Sequence, residues 1–342
     1  ALYVVMALIC LKGNHFTKKR AMTLSLITNK KPLNIPVIPL KENEYEAWLK
    51  KQSAATKSLV KQTGFSPKGT SSLILRKPNG NPEAIYVALH TKIGLYDIAP
   101  ALGAIKAAFT SDFLKGASFE LKTTGLKPEE ITKIVLGWGL SCYEFTSYKK
   151  AKSQPALVWP AKSDKKRITA ILESIYLLKN LINTPANDMG PQDIENAVSA
   201  VALQHKAKIV VVKGKKLRSE FPLVHMVGKA AEQEPRLIEL NWGKASHPKL
   251  TIVGKGVSFD TGGLNIKPTA YMALMKKDMG GSAHALALSN IIMALNIPVS
   301  LRLIIPAVEN SISASAFRPG DIVKSRKGLT VENTNTDAEG RL

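Results

Sequence analysis

The C-terminal part of the chain holds three acidic clusters set in glycine. They are Gly254-Lys255-Gly256-Val257-Ser258-Phe259-Asp260-Thr261-Gly262-Gly263, Lys277-Asp278-Met279-Gly280-Gly281 and Asn335-Thr336-Asp337-Ala338-Glu339-Gly340-Arg341. One such cluster reads as a turn. Three of them between apolar runs read as a site, because glycine lets backbone approach a ligand closely. Asp-x-Glu on extended chain directs both carboxylates to one side, since residues i and i+2 share a face. Four converging carboxylates repel unless cations compensate, and oxygen-rich ligand sets suit Mg²⁺, Mn²⁺ or Zn²⁺. Other chemistries lack their motifs. There is no Walker-type phosphate loop, and Gly254-Lys255-Gly256 lacks the spacing of a dinucleotide fingerprint. No H-E-x-x-H or C-x-x-C pair occurs and the six histidines are scattered, which argues against zinc held by imidazole or thiolate. His284, on an apolar helix, reads as a hydrogen-bonded core histidine.

Val253–Pro268, Lys277–Ala283 and Asn335–Leu342 closely resemble the leucyl aminopeptidase family of cytosolic two-metal exopeptidases. The resemblance extends to Asn183–Pro191 and to Gly139–Lys149, with Tyr143, Phe145 and Tyr148. It implies Lys255, Asp260, Asp278, Asp337 and Glu339 as ligands of two divalent ions, Mn²⁺ or Zn²⁺. Asp260 and Glu339 would bridge them, Lys255 and Asp278 completing one site and Asp337, with its carbonyl, the other. Lys255 ligates only as a neutral amine, so the metal must depress its pKa. Lys267 and Arg341 fall at the two catalytic positions. The implied reaction releases an N-terminal residue from a peptide: water acidified by the ions attacks the scissile carbonyl. Lys267 stabilises the tetrahedral species, and bicarbonate held by Arg341 shuttles the proton. Lys267, Asp278 and Met275 would contact substrate, Met275 lining a pocket for Leu- or Met-like side chains. The resemblance further implies a cytoplasmic homo-hexamer. Two alternatives stand beside it. One is a nucleic-acid-binding or regulatory role on the same scaffold; the other is a two-metal phosphoesterase, against which Lys255 and the Asn335–Leu342 motif weigh.

These residues need elements to hold them. Ser71–Arg76 and Ala84–His90 read as strands around the turn Pro78-Asn79-Gly80-Asn81-Pro82. Pro128, Glu129 and Glu130 suit a first helical turn, and Cys142 reads as a packed core thiol. From Asp164, apolar residues at 168, 171, 172, 175, 178 and 182 mark a helix. Helices over 192–205 and 282–295 follow, with strands over 208–213, 236–240, 250–254 and 299–305. The alternation argues α/β with a largely parallel sheet in the second half. The expected architecture is a smaller N-terminal α/β domain (22–163) and a catalytic α/β domain (164–342) with a central mixed sheet flanked by helices. Because Leu342 follows Arg341 inside the family motif, the catalytic domain is expected to be truncated at its C-terminal end. Strands such as Val299–Ile305 should then be partly exposed, and the 342-residue chain poorly soluble or inactive.

Composition is ordinary for a globular protein, with 45% hydrophobic and 22% charged residues, and 342 residues suggest two domains. Cys10 and Cys142 cannot build a disulfide framework, which favours a reducing compartment. The net charge is +22, from 39 Lys and 9 Arg against 26 acidic residues. Only +3 of it falls in residues 251–342. A lysine-coated, solvated surface explains it better than a nucleic-acid site does. The apolar run Ala1–Leu11 is shorter than the roughly 20 residues a bilayer span needs, and its basic residues follow rather than precede it. Residues 1–21 read as sequence upstream of a start at Met22, with a trimmed targeting segment as the alternative.

Overall fold

The computed structural model describes residues 24–69 and 71–342. The apolar run Ala1–Leu11, Cys10 and the start at Met22 lie outside the described residues. The chain divides into two compact units, Met22–Glu173 and Ser174–Leu342, the division falling within the helix Lys165–Asn183.

The first unit is built on a six-stranded sheet. Its strands are β1 (Leu26–Ile27), β2 (Leu33–Lys41), β3 (Ser72–Arg76), β4 (Pro82–Leu89), β5 (Ala117–Leu121) and β6 (Leu157–Val158), in the order β1-β6-β5-β2-β4-β3. Among the described residues, the β3–β4 hairpin is the one antiparallel pair of this sheet; its turn is the Pro78–Pro82 cluster. Ile35, Val37, Ile85 and Phe119 are fully buried, as expected of parallel strands covered on both faces. The helix Pro128–Ser141 starts with Pro at its first position and buries Ile131, Ile134, Val135 and Trp138. Glu130 Oε2 accepts the Lys127 N–H at 2.8 Å and so satisfies a donor at the helix start. Cys142 is buried, as expected of a core thiol.

The second unit carries a five-stranded sheet of β7 (Lys208–Lys213), β8 (Arg236–Trp242), β9 (Lys249–Val253), β10 (Gly256–Asp260) and β11 (Ser300–Asn310). It is mixed: β10 and β9 run parallel to β11, whereas β8 is antiparallel to both β11 and β7. The largely parallel reading is therefore corrected. β8 and β9 flank β11, and the short link 243–248 brings the chain back at the same end of the sheet, whereas a parallel return needs a crossover of about a dozen residues or more. Gly243 turns that corner at φ +93°, and a Cβ there would lie 2.1 Å from the Val299 carbonyl oxygen. By contrast, the helix Gly280–Ala294 links β10 to β11 as a true crossover.

That helix and Pro191–His205 cover one face of the sheet. Between them Ile194, Val198, Leu286 and Met293 pack on Ile238, Leu240, Leu301, Leu303 and Ile305. Leu301, Leu303 and Ile305 are each 1% exposed, so the expected exposure of Val299–Ile305 is not found on this face. The helix stripe seals it. The helix Pro222–Gly228 contributes Met226 and Val227 to a smaller cluster with Val257, Val308 and Phe317. A hairpin of β12 (Asp321–Lys324) and β13 (Thr330–Asn333) leads to a terminal 3₁₀ turn, Thr336–Arg341. Among the described residues, no helix is long and apolar enough to cross a membrane.

Candidate active site

The first acidic cluster is a strand with a break in it. β9 and β10 follow one another along the same side of β11 in one register, Val253 opposite Ile304 and Gly256 opposite Ala307. Lys255 sits in the break. Its carbonyl accepts the Ser282 N–H at 2.8 Å, which satisfies a donor in the first turn of the helix Gly280–Ala294. The approach is close enough to require glycine: a Cβ on Gly254 would lie 2.7 Å from Ser282 Cα. Asp260 closes β10 opposite Asn310, after a register shift that follows Val257. Asp278 lies in the 3₁₀ helix Met275–Met279, which leads into the helix Gly280–Ala294. Lys276 Nζ donates to the Asn183 carbonyl at 2.8 Å and ties that turn to the Asn183–Pro191 segment.

Asp337 and Glu339 lie in the 3₁₀ turn Thr336–Arg341, not on extended chain. The expectation that alternation would align them is corrected. The turn brings them together instead: carboxylate atoms of Asp260, Asp337 and Glu339 all lie within 4.8 Å of one another. Two lysines sit among these acids. Lys255 Nζ is 2.9 Å from Asp278 Oδ2 and 2.6 Å from Glu339 Oε1. Lys267 Nζ is 3.0 Å from Asp260 Oδ2 and also contacts Asp337 Oδ1. Burial opposes the charge on each lysine, but the flanking carboxylates outweigh it and hold both ammonium groups above their ordinary pKa. Burial raises the Glu339 carboxyl; Lys255 opposes this and the charge of Asp260 adds to it.

The donor set fits divalent cations. Both Glu339 oxygens, Asp278 Oδ2 and Asp337 Oδ1 are buried yet receive no aligned hydrogen bond. The lysines approach some of them as ion pairs without hydrogen-bond geometry. Buried carboxylate oxygens of this kind are costly unless a cation meets them. Asp260, Asp337, Glu339, Asp278 and, as a neutral amine, Lys255 could hold such ions.

Six of the expected residues thus converge: Lys255, Asp260, Lys267, Asp278, Asp337 and Glu339. Met275 shares the turn of Asp278 and is half-buried. Arg341 is exposed and joins none of these ion pairs. His284 is corrected: it is exposed, with Nδ1 2.7 Å from the Gly280 carbonyl oxygen, and is not a core residue. Sequence reasoning missed Asn310, Thr336 and Asn265, which join the Asp260 loop to the terminal turn. Asn310 escaped because the strand read as Val299–Ile305 runs on to residue 310. The sequence alone held no distinct signal for it, since Asn310 stands in the polar run Glu309-Asn310-Ser311 just past the apolar stretch.

Comparison with known proteins identifies the family. Residues 176–342 match the catalytic domain of the cytosol aminopeptidase family, and residues 35–160 match the M17 aminopeptidase N-terminal domain. The chain belongs to the cytosol aminopeptidase family. A probable cytosol aminopeptidase of Sinorhizobium fredii is 34% identical over 81% of this chain and 60% of its own length. One from Corynebacterium glutamicum is 33% identical over 74% of this chain and 55% of its own. The chain therefore spans somewhat over half the length of these relatives. The crystal structure of the Coxiella burnetii cytosol aminopeptidase superposes with a TM-score of 0.82 at 40% identity, covering 93% of this chain and 68% of that one. The bottromycin maturation enzyme BotP, solved in complex with Mn, shares the fold with a TM-score of 0.75 at 24% identity, over 90% of this chain and 66% of its own.

Proposed function

We propose that this protein is a metal-dependent aminopeptidase that releases N-terminal amino acids from peptides. The carrying observation is the convergence of Asp260, Asp337 and Glu339 beside Lys255 and Asp278, on a chain of this family. Two divalent ions, Mn²⁺ or Zn²⁺, bound by these five residues would supply Lewis acidity toward a water and a peptide carbonyl. The chain's own groups do the rest. Asp278, half-buried, offers a carboxylate to the free α-amine that distinguishes an N-terminus. Lys267, mostly buried between Asp260 and Asp337, is a cation suited to meet charge developing on the carbonyl oxygen. Arg341 presents an exposed guanidinium able to hold a small anion such as bicarbonate for proton transfer. Met275 would line the pocket for a Leu- or Met-like side chain. Hexameric assembly and a cytoplasmic location belong to the same reading, supported by family membership alone.

Release of leucine from leucyl-amide, measured for the full-length protein with added Mn²⁺ or Zn²⁺ and again with chelator, tests it. Turnover that chelator abolishes and metal restores is expected. Full turnover in chelator, or none under any metal, overturns the reading.

A further inference from the structure

Resting on that metal-dependent reading, we propose that Asn310 is a positioning residue that orients Asp260 and locks it to the turn bearing Asp337 and Glu339. Asn310 is fully buried at the end of β11. Its Nδ2 donates to Asp260 Oδ1 at 2.8 Å and to the Thr336 carbonyl at 3.0 Å. The amide is assigned by this network, because only Nδ2 can serve two acceptors there. Asp260 Oδ1 accepts a second bond, from the Gly262 N–H at 2.9 Å. One oxygen of Asp260 is thus held by two neutral donors, while Oδ2 faces Lys267. A neutral amide turns the carboxylate without neutralising it, so its charge stays available to a cation. Such outer partners of a ligating carboxylate fix its orientation.

Thr336 completes the lock. It is fully buried, its Oγ1 donates to the Gly262 carbonyl at 2.6 Å, and it accepts the Asn265 N–H at 2.8 Å. The Thr336 N–H in turn donates to Asn265 Oδ1 at 2.9 Å. Asn310, Thr336, Asn265 and Gly262 therefore brace two ligand-bearing segments that lie 71 residues apart in sequence. One segment is the loop after β10, with Gly262 and Gly263 both at positive φ, and the other is a 3₁₀ turn of six residues.

The test is calorimetric titration of the full-length protein with Mn²⁺, comparing wild type with Asn310→Leu and Asn265→Ala. The leucine fills similar volume but offers no donor. Asn265 is exposed, so its truncation spares the core while removing the acceptor of the Thr336 N–H. Both variants should bind Mn²⁺ about 10–100-fold more weakly. Raising Mn²⁺ should restore their turnover of leucyl-amide with KM near wild type, which a packing defect would not allow. If Asn310→Leu does not fold, Asn265→Ala decides alone. Unchanged Mn²⁺ affinity in a folded variant, with or without a lower unfolding midpoint, overturns the inference. A wild-type protein that binds no Mn²⁺ overturns the metal-dependent reading and this inference together.

Discussion

Lys267→Met separates the charge that organises the site from the charge that acts in the reaction. The Lys267 side chain is 14% exposed and contacts Asp260, 3% exposed, and Asp337, 34% exposed. Breaking a fully buried pair costs about 3–5 kcal/mol because the partner is left uncompensated. The Asp337 contact is worth less, since that side chain as a whole is 34% exposed and keeps part of its charge in water once the lysine is removed. The pairing with Asp260 is kept in part by Asn310 and the Gly262 N–H, which still donate to Oδ1. A net loss of about 2 kcal/mol in chelator follows, or roughly 4–8 °C in Tm for a unit of this size. Divalent metal should reverse that loss, because ions supply the missing positive charge. On the proposed reading they do not replace the Lys267 cation that meets the carbonyl oxygen. With metal saturating, kcat for leucyl-amide should therefore fall about 10²–10³-fold, as on losing an oxyanion donor. Thermal melts with and without chelator, followed by steady-state kinetics at saturating Mn²⁺, read both effects. A variant with wild-type kcat, or with an unchanged Tm in chelator, refutes the reasoning.

Three further outcomes are expected. Asp337→Ala should reduce bound divalent metal from two ions per subunit to at most one, read by elemental analysis after dialysis against Mn²⁺. Gly262→Ala should destabilise by about 1–3 kcal/mol and weaken metal binding, because φ is +88° and the new Cβ would sit 2.4 Å from the Asn265 carbonyl oxygen; an unchanged Tm would show that the loop yields freely. The hydrogen bond from the Lys127 N–H, with help from Lys41, holds the Glu130 carboxyl below its usual range. Its contribution to stability is therefore present above the unfolded carboxylate pKa of about 4.3 and is lost as pH falls through the lower, folded value. Glu130→Gln should cost about 1 kcal/mol at neutral pH and flatten the acid limb of the stability–pH curve.

The elements legible in the sequence were those with a local cause. Pro128 and Glu130 mark a helix start through backbone geometry and a capping carboxylate, and the helix begins there. Apolar spacing from residue 168 to 182 needs no partner to be read, and Lys208–Lys213 matches its strand residue for residue. The three acidic clusters also stood out locally, since acid beside glycine departs from the apolar runs around it. Chain direction and side-chain convergence have no such local cause. Nothing in the residues of β8 says that it runs against β11; the short 243–248 link and the packing of both strands under one helical layer decide that. The strand break at Lys255 exists because a helix start presses against Gly254. Asp337 and Glu339 meet Asp260 through a 3₁₀ turn rather than through strand alternation. Asn310 lay beyond the strand expected over Val299–Ile305, and only the extension of β11 to residue 310 placed it opposite Asp260. Residue types along the chain determined which charges had to be compensated; the long-range hydrogen bonds among Asn310, Thr336 and Asn265, made only when distant segments pack, decided where those charges meet.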